Sequence, residues 1–179
     1  MKKSKYFLGL ILVITLSCQA PSVDDKQKLT DLIDTFQEHK GFDRIRYPLG
    51  LYTQAYYAQE AQFADSLKRE LAQLSTLKFD ENDQISAALL AFILQEKIDF
   101  YSYGRYLNPI LSDAGFHSNL TYQVKPLNDF AQVKSYLNKL NALPEFVDQH
   151  FINLRVGLEK GVSQPLVIFR GYESTYEDH

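Results

Sequence analysis

The sequence predicts an all-α fold, an irregular multi-helix array of about six helices. Three observations carry that prediction. Beyond residue 24, apolar side chains return at steps of three and four, the period of one helix face. Most breaks between these stripes contain glycine or proline, the exception being the polar stretch "STLKFDEND", and no strand pair is read in the long connection between Gly104 and Asn128. The chain has 179 residues, 45% hydrophobic and 13% aromatic, which suits one globular domain with its own core and argues against disorder.

The elements follow in order. Asp24 is placed to cap a first helix, with Gln27 three residues on, and Leu29, Leu32, Ile33 and Phe36 line one face. Gly41, Pro48 and Gly50 mark the next stretch as a loop. A second helix is expected from Ala55 to Leu74, with Tyr56, Phe63, Leu67, Leu71 and Leu74 on one side and Lys68, Arg69, Glu70 and Gln73 on the other. Asp80 or Asn82 would cap a third, because short polar side chains satisfy the free amides of a first turn. Its stripe, with Ile85, Leu89 and Phe92 beside Leu90, Ile93 and Leu94, is too broad for a surface helix. This helix is therefore expected to be central and buried on most sides.

Asn128 is expected to cap a fourth helix with Phe130, Val133, Leu137 and Leu140 facing inward. A fifth would start at Pro144, whose missing amide is harmless in a first turn, and carry Val147, Phe151, Leu154 and Leu158 as its stripe. Gly161 supplies a left-handed stop. Pro165 opens a sixth pattern that reaches His179, with Leu166, Phe169, Tyr172 and Tyr176 at helical spacing and no closing glycine or proline.

The amino terminus is different in kind. "MKKSK" is basic, Tyr6 to Leu16 is an unbroken apolar run, and "SCQAPS" follows with the single cysteine, Cys18. Eleven apolar residues cannot span a bilayer as a helix, which takes roughly 20. A basic start, a short apolar core and small residues make an export signal. The tetrad Thr15-Leu16-Ser17-Cys18 resembles the lipobox of bacterial lipoproteins, departing from it at Thr15, where leucine is usual. On this reading residues 1–17 are a lipoprotein signal peptide, 18–23 a tether and 24–179 the helical domain. Cys18 is then the lipid attachment site that holds the protein to a membrane of the cell envelope. The other reading is an ordinary cleaved signal with an incidental cysteine. Either way, no second cysteine exists for a disulfide.

Motifs of chemistry are sparse. The four histidines are His39, His117, His150 and His179, and none stands in H-E-x-x-H, the spacing that sets two imidazoles on one helix face for zinc. His150 reads as a helix-face or core histidine rather than a ligand. Neither a nucleophile elbow, a P-loop nor a dinucleotide fingerprint is present. A net charge of −3 and helix faces of mixed sign exclude nucleic acid as an expected partner. The aromatic cluster "DFYSYGRY" leaves two readings open. Tyr101, Tyr103 and Tyr106 could line a groove and offer hydroxyls to a peptide, or they could wedge helices together.

Three stretches, "LSDAGFHSNL", "YLNKLNALPEFVDQHFINLRVGLEKGVSQP" and "GYESTYEDH", resemble the bacterial family catalogued as domain of unknown function 885. The resemblance implies the N-terminal portion of a larger helical, zincin-like fold. Members are several times longer, many are lipoproteins or secreted, and they are regarded as zincin-like metallopeptidases whose H-E-x-x-H motif lies far downstream of this segment. No position here matches that motif, so the resemblance implies no catalytic or metal residue and no cofactor in this chain. Zinc is expected only for the full-length family. Three expectations stand side by side: a scaffold segment inactive without the catalytic part, a free-standing lipid-anchored binding module, and a subunit completed by a separately encoded catalytic C-terminal half. Under the first and third, apolar surface on the last helices should lie exposed.

Overall fold

A computed structural model describes residues 24–111, 114–116 and 126–170. The export signal, Cys18, the tether, His117 and the pattern beyond residue 170 lie outside the described residues. The chain is predominantly helical. In order it forms α1 (Asp25–Glu38), α2 (Gln54–Leu71), a 3₁₀ turn (Thr76–Lys78), α3 (Glu81–Ser102), a second 3₁₀ turn (Arg105–Leu107), β1 (Ile110–Leu111), β2 (Ala114–Gly115), α4 (Phe130–Glu159) and α5 (Leu166–Phe169). The two strands form a miniature antiparallel pair, Ile110 opposite Gly115 and Leu111 opposite Ala114. It interrupts the long connection without changing the all-α class.

Among the described residues, four long helices and the single turn of α5 stand where about six helices are expected. The reason is Pro144. Read as a first-turn proline, it divides 128–161 into two helices; in the structure it lies inside one helix of 30 residues. An interior proline loses one ladder hydrogen bond and crowds the preceding turn. Pro144 is exposed, so the carbonyl of Leu140 that loses its partner lies on the solvent side, and the helix continues. The last pattern yields only one turn, α5, among the described residues.

The core is built by α1, α2 and α3. Leu29 and Leu32 from α1 meet Ala64 and Leu67 from α2, Leu90 and Leu94 from α3, and Phe79 from the connection. Ala61 and Ala64 are both buried, and such small side chains let α2 and α3 run close together. The start of α3 is fixed by a reciprocal capping box. The Asp83 amide donates to Asp80 Oδ1 at 3.0 Å and the Asp80 amide to Asp83 Oδ2 at 3.1 Å. Lys26 of α1 reaches both carboxylates, at 2.9 and 2.7 Å, and ties the two helices there. At α1 itself Asp24 is the cap residue but its side chain makes no capping bond. At α4 the cap is Asp129, one residue later than expected, and its carboxylate accepts from the Gln132 amide at 2.8 Å. Gly161 takes the left-handed conformation (φ 73°), and the amides of Gly161 and Val162 return to the carbonyls of Leu158 and Gly157, closing α4 as expected.

Two burial expectations are corrected. The third helix is central, but it is not buried on most sides: Leu90 and Leu94 are in the core, whereas Ile85, Leu89 and Phe92 are 58%, 56% and 64% exposed. On α4 the apolar stripe expected to face inward does not. Phe130, Leu137, Leu140, Phe151 and Leu158 are exposed, and the residues α4 buries are Phe146, Gln149, His150, Asn153 and Gly157. Counted at 100° per residue, that buried stripe lies about 130° around the helix from the apolar one. Hydrogen bonding and close backbone approach, rather than apolar area, decide which face docks.

Candidate functional site

Two polar nodes stand out against the apolar interior. The first is Glu60, on α2 and buried, although acids are almost never buried without partners. Its Oε1 lies 2.5 Å from His39 Nε2 and its Oε2 2.8 Å from Lys97 Nζ on α3. Burial pushes the Glu60 carboxyl up, but the hydrogen bonds and charges of Lys97 and His39 outweigh it and hold the group below the usual carboxylate range. The His39 ring stacks on Phe63 at 3.8 Å between centroids. Gly41 belongs to the same node. A Cβ there would stand 2.8 Å from Glu60 Oε1, and the backbone is left-handed at φ 63°, so glycine is favoured where the loop folds over this carboxylate. The triad clamps the end of α1 to α2 and α3.

The second node joins the 43–53 loop to α4. The Tyr52 amide donates to Gln149 Oε1 at 2.6 Å, and Asn153 Nδ2 donates to the Tyr52 carbonyl at 2.7 Å. Two side chains of one helix thus bind one loop residue as a neighbouring strand would. Arg46 and Glu145 add a forked ion pair at 2.9 and 3.4 Å on the exposed rim. Between loop and helix lies a shallow recess whose walls include Tyr47, Leu49 and Ala142.

His150 sits under this clamp, 4% exposed, with neither ring nitrogen hydrogen-bonded among the described residues. Phe116 stacks on it at 4.4 Å, Tyr52 lies tilted at 4.3 Å, and Phe146 meets it edge-on at 4.7 Å. Burial lowers its pKa to about 4, because a charged imidazole has lost its water and gained no counter-charge. The ring is therefore neutral at pH 7, and it is a core histidine, as read from its position. Further along, Gly157 presses on the second 3₁₀ turn: a Cβ there would be 2.6 Å from the Leu107 carbonyl oxygen.

Of the three tyrosines, two come together and one stands apart. Tyr106 is buried and lies 5.7 Å from the Tyr101 ring, stacked, and 4.9 Å from Tyr57. Burial raises the pKa of Tyr106 and of Tyr57. Tyr103 stands apart, 73% exposed. Among the described residues, no group of three His, Cys, Asp or Glu side chains is arranged to hold a metal ion, and no helix is long and apolar enough to cross a membrane.

Fold and sites together define an all-α domain whose polar side chains act as internal clamps and whose two longest helices keep apolar faces in the open. The chain belongs to the bacterial proteins of unknown function DUF885, whose family model matches residues 37–178. Searches of curated proteins and of solved structures find no match. The matched span begins at the end of α1 and includes both polar nodes.

Sequence reasoning missed Glu60, Gln149 and Asn153 because it follows apolar periodicity, and these are polar residues on buried faces. One signal was available: Phe146, His150, Asn153 and Gly157 recur at steps of four, three and four, and a mid-helix glycine marks close approach.

Proposed function

We propose that this chain is the helical, non-catalytic segment of an exported, lipid-anchored hydrolase of the family, a zinc-dependent peptidase in its complete form. It supplies scaffold and, through Cys18, a membrane tether; the metal motif is contributed by another helical body. The observation that carries this reading is the double-sided character of α3. Its Leu90 and Leu94 fill the core of this domain, and Ile85, Leu89 and Phe92, one further face at spacings of four and three, lie more than half exposed. A helix apolar nearly all round belongs to the interior of a larger body, and the open face is where the catalytic part packs.

The test is association and chemistry together. The full chain, produced alone, is expected to bind no stoichiometric zinc and to cleave no peptide. Co-produced with an H-E-x-x-H-bearing segment of the family, it should form a complex that Phe92→Ser weakens and Leu77→Ser does not, since Leu77 is 95% exposed but lies on the first 3₁₀ turn and not on α3. Zinc-dependent hydrolysis by the chain alone overturns the proposal. So does a complex indifferent to Phe92→Ser.

A further inference from the structure

We propose that α4 pairs antiparallel with α4 of a second copy of this chain, along the apolar stripe from Phe130 to Leu158. From Phe130 the apolar positions advance by three and four residues in strict alternation for the whole length of the helix. That is the seam of a coiled coil, narrower and more regular than the stripe by which a helix docks on a globular core. Among the described residues the domain holds α4 mainly through Phe146, His150, Asn153 and Gly157 on another face, and it meets the seam at Phe151, whose ring Phe116 approaches edge-on at 6.2 Å. One flank of the seam is turned toward the domain by His150 and Gly157. The other is free and carries Lys134, Asn141, Asp148 and Arg155, seven residues apart and all exposed. Neither Lys134 nor Asp148 has an ion-pair partner among the described residues.

The charges choose the occupant, its direction and its register. In an antiparallel pair this flank faces itself. With Asn141 opposite Asn141 of the second copy, Lys134 of each copy faces Asp148 of the other, giving two ion pairs about the axis. In the same register Leu140 packs on Pro144 and Leu137 on Val147, so every seam layer from Phe130 to Leu154 meets an apolar neighbour. A shift of one heptad one way sets Lys134 against Arg155 in both copies. The opposite shift leaves both Lys134 and Asp148 without an opposite charge, whereas the chosen register leaves only Arg155 so, opposite Leu127. A parallel pair sets Asp148 beside Leu143. The free flank is thus self-complementary in one arrangement, which identifies a second copy as the occupant.

The experiment uses the full chain in mild detergent and measures self-association by sedimentation equilibrium. A dimer is expected. Lys134→Asp and Asp148→Lys should each weaken it by about tenfold, the effect of turning two flank pairs repulsive, and the double variant should restore it to within about threefold. Both substitutions are at exposed positions, so unchanged far-UV dichroism checks the fold of all three variants. In a Cys18→Ser background, Asn141→Cys should form a disulfide-linked dimer on oxidation, and Ser135→Cys, on the far side of the helix, should not. A chain monomeric at its highest soluble concentration overturns the proposal, including the case in which a larger body of the family covers the seam instead. A dimer insensitive to both charge reversals, or one that Asn141→Cys fails to link, overturns it equally.

Discussion

His150→Phe is the substitution with the clearest physical signature. The wild-type ring is buried among Tyr52, Phe116 and Phe146 with both nitrogens unpaired among the described residues. At neutral pH two effects oppose each other. Removing two unsatisfied buried polar atoms gains about 1–3 kcal/mol for each. Adding the larger ring to a filled aromatic box costs about 1–3 kcal/mol of overpacking. Their difference is small and its sign is not diagnostic.

The pH dependence is diagnostic. The folded-state pKa of about 4 lies below the ordinary value of 6.5, so on acidification the unfolded chain takes up a proton that the folded chain refuses. The native state therefore has its full stability above pH 6.5 and loses it as pH falls toward 4, at about 1.4 kcal/mol per unit. His150→Phe abolishes this one term and leaves every other titrating group in place. Urea denaturation followed by far-UV dichroism at about pH 7 and about pH 5 should show the variant gaining about 2 kcal/mol on the wild type between them. The full gap, reached near pH 4, is about 3 kcal/mol. A difference flat across that range, or an imidazole proton of His150 titrating near its ordinary value by NMR, refutes the reasoning.

Glu60→Ala leaves Lys97 and His39 without their shared carboxylate. Because both partners keep some access to water, a loss of about 2–3 kcal/mol is expected in urea denaturation, at the low end for a broken buried pair. Gly157→Ala should destabilise by about 1–3 kcal/mol, although alanine gains about 1 kcal/mol of helix propensity, because the new methyl meets backbone oxygens of Leu107 and Val162 at 2.6 and 2.9 Å. Asp80→Ala removes the α3 capping box and should lower stability by about 1 kcal/mol, seen as a shift in the urea midpoint at unchanged slope. Asn153→Leu should cost about 1–3 kcal/mol, since the Tyr52 carbonyl is left without its donor.

The all-α class, the three helices of the core and the glycine stop at Gly161 were legible because apolar period and capping chemistry agree there. For the third helix Asp80 and Asn82 are both eligible caps ahead of the apolar run, and the structure uses Asp80. Pro144 was misread because a proline after a short linker looks the same in sequence whether it opens a helix or sits exposed inside one. The candidate sites were the least legible part. Glu60 becomes a node only when the loop at Gly41 returns His39 to α2 and α3 brings Lys97, and those contacts span 21 and 37 residues.

The deeper miss on α4 follows from what periodicity measures. Period tells which residues share a face, and it is silent on which face a fold will use when two are available. Here one face has apolar area and the other has Gln149 and Asn153 for the Tyr52 backbone, Phe146 and His150 for an aromatic stack, and Gly157 for close approach. The second face wins inside the domain because a loop needs its backbone groups satisfied, and two amide side chains on a helix do that where leucines cannot. The apolar face is thereby left over, on a helix long enough to hold a partner. A chain that turns its polar contacts inward and leaves its most regular apolar stripe outward presents the surface that the proposed pairing of two copies requires.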